Sequence, residues 1–396
     1  NNLKISRIGD SMFNGCNGLS EIIFNTNIVE IGEWAFSDCS SLKRIDIPET
    51  VINIKQGAFY DCSSLTNISI PETVTEIRTY TFRGCSSLES IDIPKTVSSI
   101  GGGVFQECSS LTSINIPKKV TELKGSIFSD CSSLVNVTFE KGSQLKSMTK
   151  DLESAGAVFR NCTALTTIEI PASVETIEGG IFYNCSSLTD VTFEEGSKLQ
   201  YITGHSGNSI VRPIVIFENC TALTNIEIPA SVKTIEGPVF YNCSSLTNVT
   251  FEEGSKLESI SGISAVFKDC TALVSIEIPA SVKTLGGSVF YNCSSLASVI
   301  FENGTQLKSI TNDLDGYAIF NNCTALTIFE IPASVELITN ELFYNYNTHL
   351  SIYCMATNPP MIDHLSCHFT LYVPALSLEA YKNSLWRYYY SSIKPV

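Results

Sequence analysis

The segment FSDCSSLKRIDIPETVINI at residues 36–54 contains one whole copy of a unit that repeats along most of the 396-residue chain. The unit reads F-x-x-C-[ST]-x-L-x-x-I-x-I-P-x-[ST]-V-x-x-I, and a copy at Phe343 has Tyr346 in the cysteine position. Such self-similarity is the sequence signature of a repeat architecture. Thirteen copies keep the cysteine, spaced 23 to 35 residues apart: Cys16, Cys39, Cys62, Cys85, Cys108, Cys131, Cys162, Cys185, Cys220, Cys243, Cys270, Cys293 and Cys323.

Two short strands are predicted in each unit. The apolar alternation at the end of L-x-x-I-x-I indicates a strand with one buried face. The proline that often follows, such as Pro48, ends this strand because it has no N–H to donate. The V-x-x-I segment predicts a second extended piece, and the residues around A-F-x-x-C predict a single helical or 3₁₀ turn.

The unit is too short to bury its own apolar side, so successive units must stack with their strands about 4.8 Å apart. We therefore predict one elongated, right-handed, β-rich solenoid with short helical or 3₁₀ turns, made of about 14 coils of 23–35 residues. The repeat assigns residues 1–349 to this solenoid and residues 350–396 to a C-terminal capping segment.

These residues resemble the leucine-rich repeats of the BspA-like family, whose unit runs roughly C-x-x-L-x-x-I-x-I-P-x-x-V-x-x-I-x-x-x-A-F. The resemblance covers about residues 5–346, and the tail resembles the family's closing segment through LYVP at 371–374 and AYKNSLW at 380–386. The resemblance implies a leucine-rich repeat fold and a cell-surface or secreted, adhesin-like protein. Implied partners are host extracellular-matrix or receptor proteins, or other microbial surface proteins.

Composition excludes two classes of partner. The net charge is −15 and the basic residues are scattered singly, whereas binding to a nucleic-acid backbone requires clustered cations. No apolar run approaches the roughly 20 residues of a membrane span, so we predict no membrane insertion in this segment. We also expect a monomer.

A column of acidic residues is predicted on the outward side of the first strand, seven residues after the cysteine. Alternating coils place threonine between the carboxylates, so this column could bind a partner that carries lysine or arginine. The alternative is that the spaced charges serve only solubility and stability. The candidate binding residues in this column are Asp46, Asp92, Glu169, Glu227, Glu277 and Glu330.

Insertions mark every second coil after Cys131, where an acidic-glycine turn such as Glu194–Gly196 replaces the proline. Because they fall at one point of the coil, they must project from one edge of the solenoid, where they either bind a partner or are tolerated loop growth. The second insertion contributes His205 and Arg212 as candidate binding residues. The inserted regions are roughly 148–157, 202–215, 260–265 and 310–318.

The repeated cysteines are predicted to be a reduced packing ladder, unreactive until unfolding. Their odd number excludes complete pairing, and Tyr346 in the last position suits packing better than metal or redox chemistry. In the tail, a Cys354–Cys367 disulfide is one possibility, and a metal site formed with the nearby histidines is another. We expect no metal and no cofactor.

Parallel rows of identical groups are a poor basis for catalysis, which needs unlike groups at one place. The sequence therefore predicts a non-enzymatic, adhesin-like binding module that uses its concave strand face and its insertion-bearing edge to recognise protein or glycan partners. The alternative is a structural spacer or scaffold domain of a larger surface protein.

Overall fold

A computed structural model describes residues 6–24, 27–149, 157–204, 215–262, 265–311, 318–339, 341–344, 350–363, 365 and 368–396. The chain divides into two compact units, residues 1–198 and 199–396. Each unit is a parallel β-solenoid with almost no helix, which confirms the predicted fold class. No helix among the described residues is long and apolar enough to cross a membrane.

In the first unit, each coil except that of Cys85 supplies a main strand, which follows the repeat leucine; the coil of Cys85 has only an isolated bridge there, at Asp92. A second strand follows the repeat valine. Main strands pair only with main strands and second strands only with second strands, always in parallel. The strands are β1 (Arg7–Ile8), β2 (Glu21–Ile23), β3 (Glu30–Ile31), β4 (Arg44–Asp46), β5 (Asn53–Ile54), β6 (Asn67–Ser69), β7 (Glu76–Ile77), β8 (Ser99–Ile100), β9 (Ser113–Ile116), β10 (Glu122–Lys124), β11 (Asn136–Phe139), β12 (Ser147–Thr149), β13 (Thr167–Ile170), β14 (Thr176–Glu178) and β15 (Asp190–Phe193).

The second unit repeats this plan and has a short helical segment before its last strand. Between its last two strands lie 3₁₀ helices at Ala375–Ser377 and Leu385–Tyr388 and the helix α1 (Leu378–Lys382). The strands are β16 (Tyr201–Thr203), β17 (Asn225–Ile228), β18 (Thr234–Glu236), β19 (Asn248–Phe251), β20 (Ser259–Ser261), β21 (Ser275–Ile278), β22 (Thr284–Gly286), β23 (Ser298–Phe301), β24 (Ser309–Thr311), β25 (Ile328–Ile331), β26 (Leu337–Thr339), β27 (Ser351–Cys354), β28 (Met361–Ile362), β29 (Phe369–Val373) and β30 (Tyr390–Pro395).

From the coil of Cys131 onward, the residue nine positions after the cysteine decides how far two main strands pair; earlier, β4 and β6 pair over three residues although Pro71 occupies this position. Where it is Glu194, its N–H donates to the carbonyl of Ile170 at 2.9 Å, and β15 pairs with β13 over all four residues. Where it is Pro171, no N–H is available, and β13 pairs with β11 only at Thr167 and Asn136. The main strands are therefore joined in close pairs that are separated by looser junctions.

The third side of each coil is a hydrogen-bonded turn. Ser37 N–H donates to Trp34 O at 3.1 Å and Cys39 N–H donates to Phe36 O at 3.2 Å, which is the 3₁₀-type pattern that the sequence predicts. The turn does not continue as a helix because Asp38 has a left-handed φ of 58°. Asparagine tolerates this conformation and occupies the same position in later coils.

Asparagines at this left-handed position bond to one another along the stack. Asn184 Nδ2 donates to Asn161 Oδ1 at 2.9 Å in the first unit, and Asn242 Nδ2 donates to Asn219 Oδ1 at 2.8 Å in the second. Their side chains are half-buried, so the bonds satisfy amide groups that are partly removed from water. These asparagines therefore hold neighbouring coils in register.

The core is built from stacked phenylalanines and cysteines. Ring centroids of successive repeat phenylalanines are 5.2 to 5.8 Å apart in the first unit, with nearly parallel planes. Buried repeat cysteines donate their thiols to the carbonyl of the phenylalanine in the preceding coil, as Cys62 does to Phe36 O at 3.1 Å and Cys85 to Phe59 O at 3.2 Å. The repeated residues thus fill the interior and bind its carbonyl groups at the same time.

Candidate binding surface

The main-strand face is defined here as the outward positions five and seven residues after each cysteine. Two of the predicted acidic residues lie on this face in the first unit, at its N-terminal side. Asp46 ends β4 and is exposed, but Arg44 holds its carboxylate, with Arg44 Nη2 at 3.0 Å from Asp46 Oδ2. Asp92 is also exposed and pairs with Ser69 through an isolated bridge. Arg44 therefore already neutralises the carboxylate of Asp46.

Four glutamates are the open carboxylates of the face. Within the described part of the chain, none of them has a hydrogen bond or an ion pair from its side chain, and all are exposed. Each sits in register with the outward residue of the next coil, as Glu169 does with Thr192. The four are Glu169 in the first unit and Glu227, Glu277 and Glu330 in the second.

The main-strand face continues into the C-terminal segment, which sequence analysis treated only as a cap. Glu330 is in register with Tyr353, Tyr353 with Tyr372, and Tyr372 with Lys394. The two tyrosine rings stack at 4.4 Å, and Lys394 Nζ lies 5.6 Å from the Tyr372 ring centre. The alternation in FTLYV at 369–373 is the signal in the sequence that could have placed Tyr372 outward.

A cavity of about 270 Å³ opens on this face at the loose junction between β11 and β13. Its lining includes Thr138 and Glu169 from the predicted column, the aromatic ring of Phe139, and the ammonium of Lys141. It exists because Pro171 removes the ladder bond that would close the two strands together. The cavity therefore combines an open carboxylate with apolar and cationic groups.

The glutamate of the acidic-glycine turn has a structural partner. Glu194 Oε2 accepts a hydrogen bond of 2.9 Å from Ala172 N–H, and Lys198 N–H donates to Ala172 O at 2.9 Å. Gly196 makes the turn possible with a φ of 77°. Equivalent carboxylate bonds are made by Glu140 to Lys118, Glu252 to Ala230 and Glu302 to Ala280.

His205 and Arg212 lie outside the described residues, together with most of the four insertions. Both therefore stay predictions. The Cys354–Cys367 disulfide also stays a prediction, because Cys367 lies outside the described residues. Cys354 itself is buried, and its thiol accepts a hydrogen bond from Tyr381 Oη at 3.1 Å.

The cysteine column is buried as predicted, with one exception. Burial raises the pKa of thiols such as Cys62 and Cys108 well above their ordinary value, because a thiolate would lose its hydration. Cys16 is exposed, so the expectation that all thirteen thiols are shielded is wrong at this position. Cys16 belongs to the first coil, and only the coil of Cys39 covers it among the described residues.

Chemistry at a metal or catalytic centre would need a cluster of unlike ligands or titratable groups. No group of three or more histidine, cysteine, aspartate or glutamate side chains arranged to hold a metal ion occurs in the described ranges. The positions that stand out are instead arrayed along the main-strand face. Its rows of carboxylates, hydroxyls and tyrosines can make many parallel contacts to a large partner.

The comparisons with known proteins agree with this architecture. The family model described as "BspA type Leucine rich repeat region" matches residues 2–110, 100–206 and 213–349. Among curated proteins, no sequence matches significantly.

A solved structure from Bacteroides ovatus has the same fold, and two further solved structures are similar in sequence. The chain is 25% identical to a leucine-rich repeat protein from Bacteroides ovatus, with a TM-score of 0.72 over 96% of this chain and 92% of that one. A leucine rich cell surface protein from Faecalibacterium prausnitzii is 24% identical, with a TM-score of 0.39, over 76% of this chain and 88% of that one. The T. pallidum leucine rich repeat protein is 30% identical, with a TM-score of 0.36, over 41% of this chain and 72% of that one.

Proposed function

Because the chain belongs to the family of proteins built from BspA-type leucine-rich repeats, we propose that it is a non-enzymatic, adhesin-like binding module of the cell surface or of a secreted protein. Leucine-rich repeat proteins generally bind proteins, and one relative is described as a leucine rich cell surface protein. The partners proposed are host matrix or receptor proteins, or microbial surface proteins or glycans. Residues 350–396 close the solenoid in this proposal.

One observation carries the proposal: Glu169, Glu227, Glu277 and Glu330 present carboxylates that no described side chain neutralises. An exposed carboxylate without an ion pair keeps its full attraction for a basic partner and steers the encounter. In the second unit, the parallel strands hold Glu227, Glu277 and Glu330 at fixed positions, so several weak contacts can act together without ordering a loop. Asp46 and Asp92 belong to the same column. Asp46 contributes less to the attraction of a basic partner, because its carboxylate already forms an ion pair with Arg44.

The experiment is a binding survey with the immobilised full chain against purified matrix proteins, receptor ectodomains and glycans. A variant with Glu169→Lys, Glu227→Lys, Glu277→Lys and Glu330→Lys should lose binding to the partners found. The matched control is Glu195→Lys with Glu253→Lys, which places the same kind of charge change in exposed turns beside the face.

Equal binding by the variant and the control would remove the main-strand face from the proposal. Absence of any partner for the intact chain would favour the spacer or scaffold function instead.

A further inference from the structure

The main-strand face of the second unit departs from its own repeat at two neighbouring coils. Thr250 occupies the outward position that pairs with Glu227, but Ile300 occupies the position that pairs with Glu277. In the next coil Ile328 stands where the equivalent coils have Asn225 and Ser275. Two polar positions have thus become aliphatic on the side of the sheet that faces away from the core.

These isoleucines are not needed to fill the interior. Their chain neighbours Val299 and Phe329 point inward and are buried, with 7% and 1% of their surface exposed. Ile300 and Ile328 remain 48% and 57% exposed, and Val274 in the adjoining coil is 52% exposed. Single exposed apolar residues are normal, but a contiguous group indicates a contact surface.

The group is contiguous because its strands are neighbours. The N–H of Ala297 donates to Val274 O at 2.8 Å, which places the coil of Val274 beside the coil of Ile300. The rings of Phe301 and Phe329 meet edge to face at 6.2 Å, which places β23 beside β25. Beyond β25, the row continues to Tyr353 of β27.

Two carboxylates flank Ile300 along the row of outward positions. Glu277 lies in register with Ile300 on one side, and Glu330 lies in the next coil on the other side. Neither carboxylate has a partner within the described residues, so both remain able to pair with cations from outside. An apolar centre with a charged rim is the usual anatomy of a protein–protein contact.

We propose that Ile300 and Ile328, together with Glu277 and Glu330, form a docking site for a polypeptide segment that presents an aliphatic or aromatic side chain between two basic residues. This site rests on the proposed function, and it narrows that function to one part of the face and one kind of partner. The apolar side chain packs on Ile300 and Ile328, and the two cations pair with Glu277 and Glu330.

The dimensions of an extended peptide fit this site. Glu277 and Glu330 are two coils apart, which is roughly 10 Å when neighbouring strands lie about 4.8 Å apart. Residues i, i+2 and i+4 of an extended chain share one side and span about 13 Å, and lysine side chains are long enough to make up the difference. The pattern Lys-x-Leu-x-Lys therefore brings all three groups to the surface at once.

The test uses fluorescein-labelled peptides with the core sequence KSLSK, ESLSE or KSSSK and the full chain at up to millimolar concentration, followed by fluorescence anisotropy. We expect KSLSK to bind about tenfold more tightly than either control peptide, the ratio that corresponds to about 1.4 kcal/mol. The double variant Ile300→Ser with Ile328→Ser should remove that preference, and so should Glu277→Gln with Glu330→Gln. Ile52→Ser in the first unit, where Ile52 is 53% exposed, is the matched control and should leave it unchanged.

Equal affinity for the three peptides, or no binding of KSLSK, overturns the docking site. A loss of preference in the Ile52→Ser variant overturns it as well. Thermal unfolding of each variant is measured in parallel, and a preference lost only in variants that no longer fold also counts against the site. A partner found in the binding survey that ignores Ile300→Ser and Ile328→Ser would contradict this site while leaving the proposed binding function intact.

Discussion

The thiol of Cys108 donates a hydrogen bond of 3.1 Å to the carbonyl oxygen of Phe82, in the interior of the first unit. Phe82 lies in the preceding coil, so the bond joins two repeats. The same carbonyl also accepts the N–H of Cys85 at 3.2 Å. The cysteine side chain thus fills space in the core and also donates a hydrogen bond to a buried carbonyl oxygen. These two roles explain why cysteine recurs at this position.

Replacing Cys108 by alanine should lower the free energy of unfolding by about 1–2 kcal/mol, because the buried sulfur atom and its hydrogen bond are both lost. The measurement is urea denaturation. Cys16→Ala is the matched control, since Cys16 occupies the same repeat position but is exposed, and it should change stability by less than about 0.5 kcal/mol. Equal effects of the two substitutions would show that burial of the column contributes nothing.

Alkylation of the native protein should modify Cys16 first. Cys16 is exposed, whereas Cys39 to Cys323 in the repeat column are buried and need local unfolding before they can react. Iodoacetamide labelling followed by peptide mass spectrometry should show Cys16 reacting at least about a hundredfold faster than Cys108. Labelling of Cys108 at the rate of Cys16 would contradict the buried column.

Stability should fall at alkaline pH. The pKa of buried thiols such as Cys62, Cys85 and Cys131 is raised in the folded chain by burial, while the unfolded thiol ionises at about 8.5. Because the pKa is higher in the folded state, the unfolded state releases its thiol protons at a lower pH. The contribution of the buried thiols to the free energy of unfolding is therefore fully present below about pH 8.5 and decreases as the pH rises above that value.

The expected slope is about 1.4 kcal/mol per pH unit for each buried thiol that ionises on unfolding. Urea denaturation from pH 7 to about pH 10 measures this slope. Cys108→Ala should reduce this slope by the contribution of one thiol. Constant stability across this range would exclude the effect.

Replacing Glu194 by alanine should lower the free energy of unfolding by about 0.5–1.5 kcal/mol, because Ala172 N–H loses the carboxylate that it donates to. Glu194→Gln keeps an acceptor oxygen and should recover most of the loss. Glu195→Ala removes the adjacent exposed carboxylate and should have almost no effect. Thermal unfolding of the three variants provides the comparison, and equal losses at residues 194 and 195 would contradict a structural role for Glu194.

The looser junctions between strand pairs have a cause in the sequence, although the repeat pattern alone did not predict them. Proline at position 171 and glutamate at position 194 differ in whether they supply an N–H, and the ladder continues over four residues only at position 194. The cavity near Glu169 follows from it. The acidic-glycine turn was correctly identified as a replacement for proline, but the hydrogen bond from Ala172 to Glu194 was not foreseen.

The C-terminal segment shows a different limit. Its sequence no longer follows the repeat, so the row of outward positions could not be extended by counting from a cysteine. The pairing of β25, β27 and β29 extends it, and this pairing places Tyr353 and Tyr372 after Glu330. Inter-strand register depends on backbone hydrogen bonds between distant segments, and a sequence period specifies these only while the period lasts.

The sequence by itself determined the parallel solenoid, the buried cysteine column and the outward column of carboxylates. It could do so because a repeated apolar pattern has one low-energy solution, in which identical units stack and share a core. The three-dimensional structure was needed to show which carboxylates form an ion pair, as Asp46 does with Arg44, and which have no side-chain partner among the described residues, as Glu277 has none. That distinction depends on the distances between side chains, and a period fixes the order of groups along a row but not the contacts that each group makes.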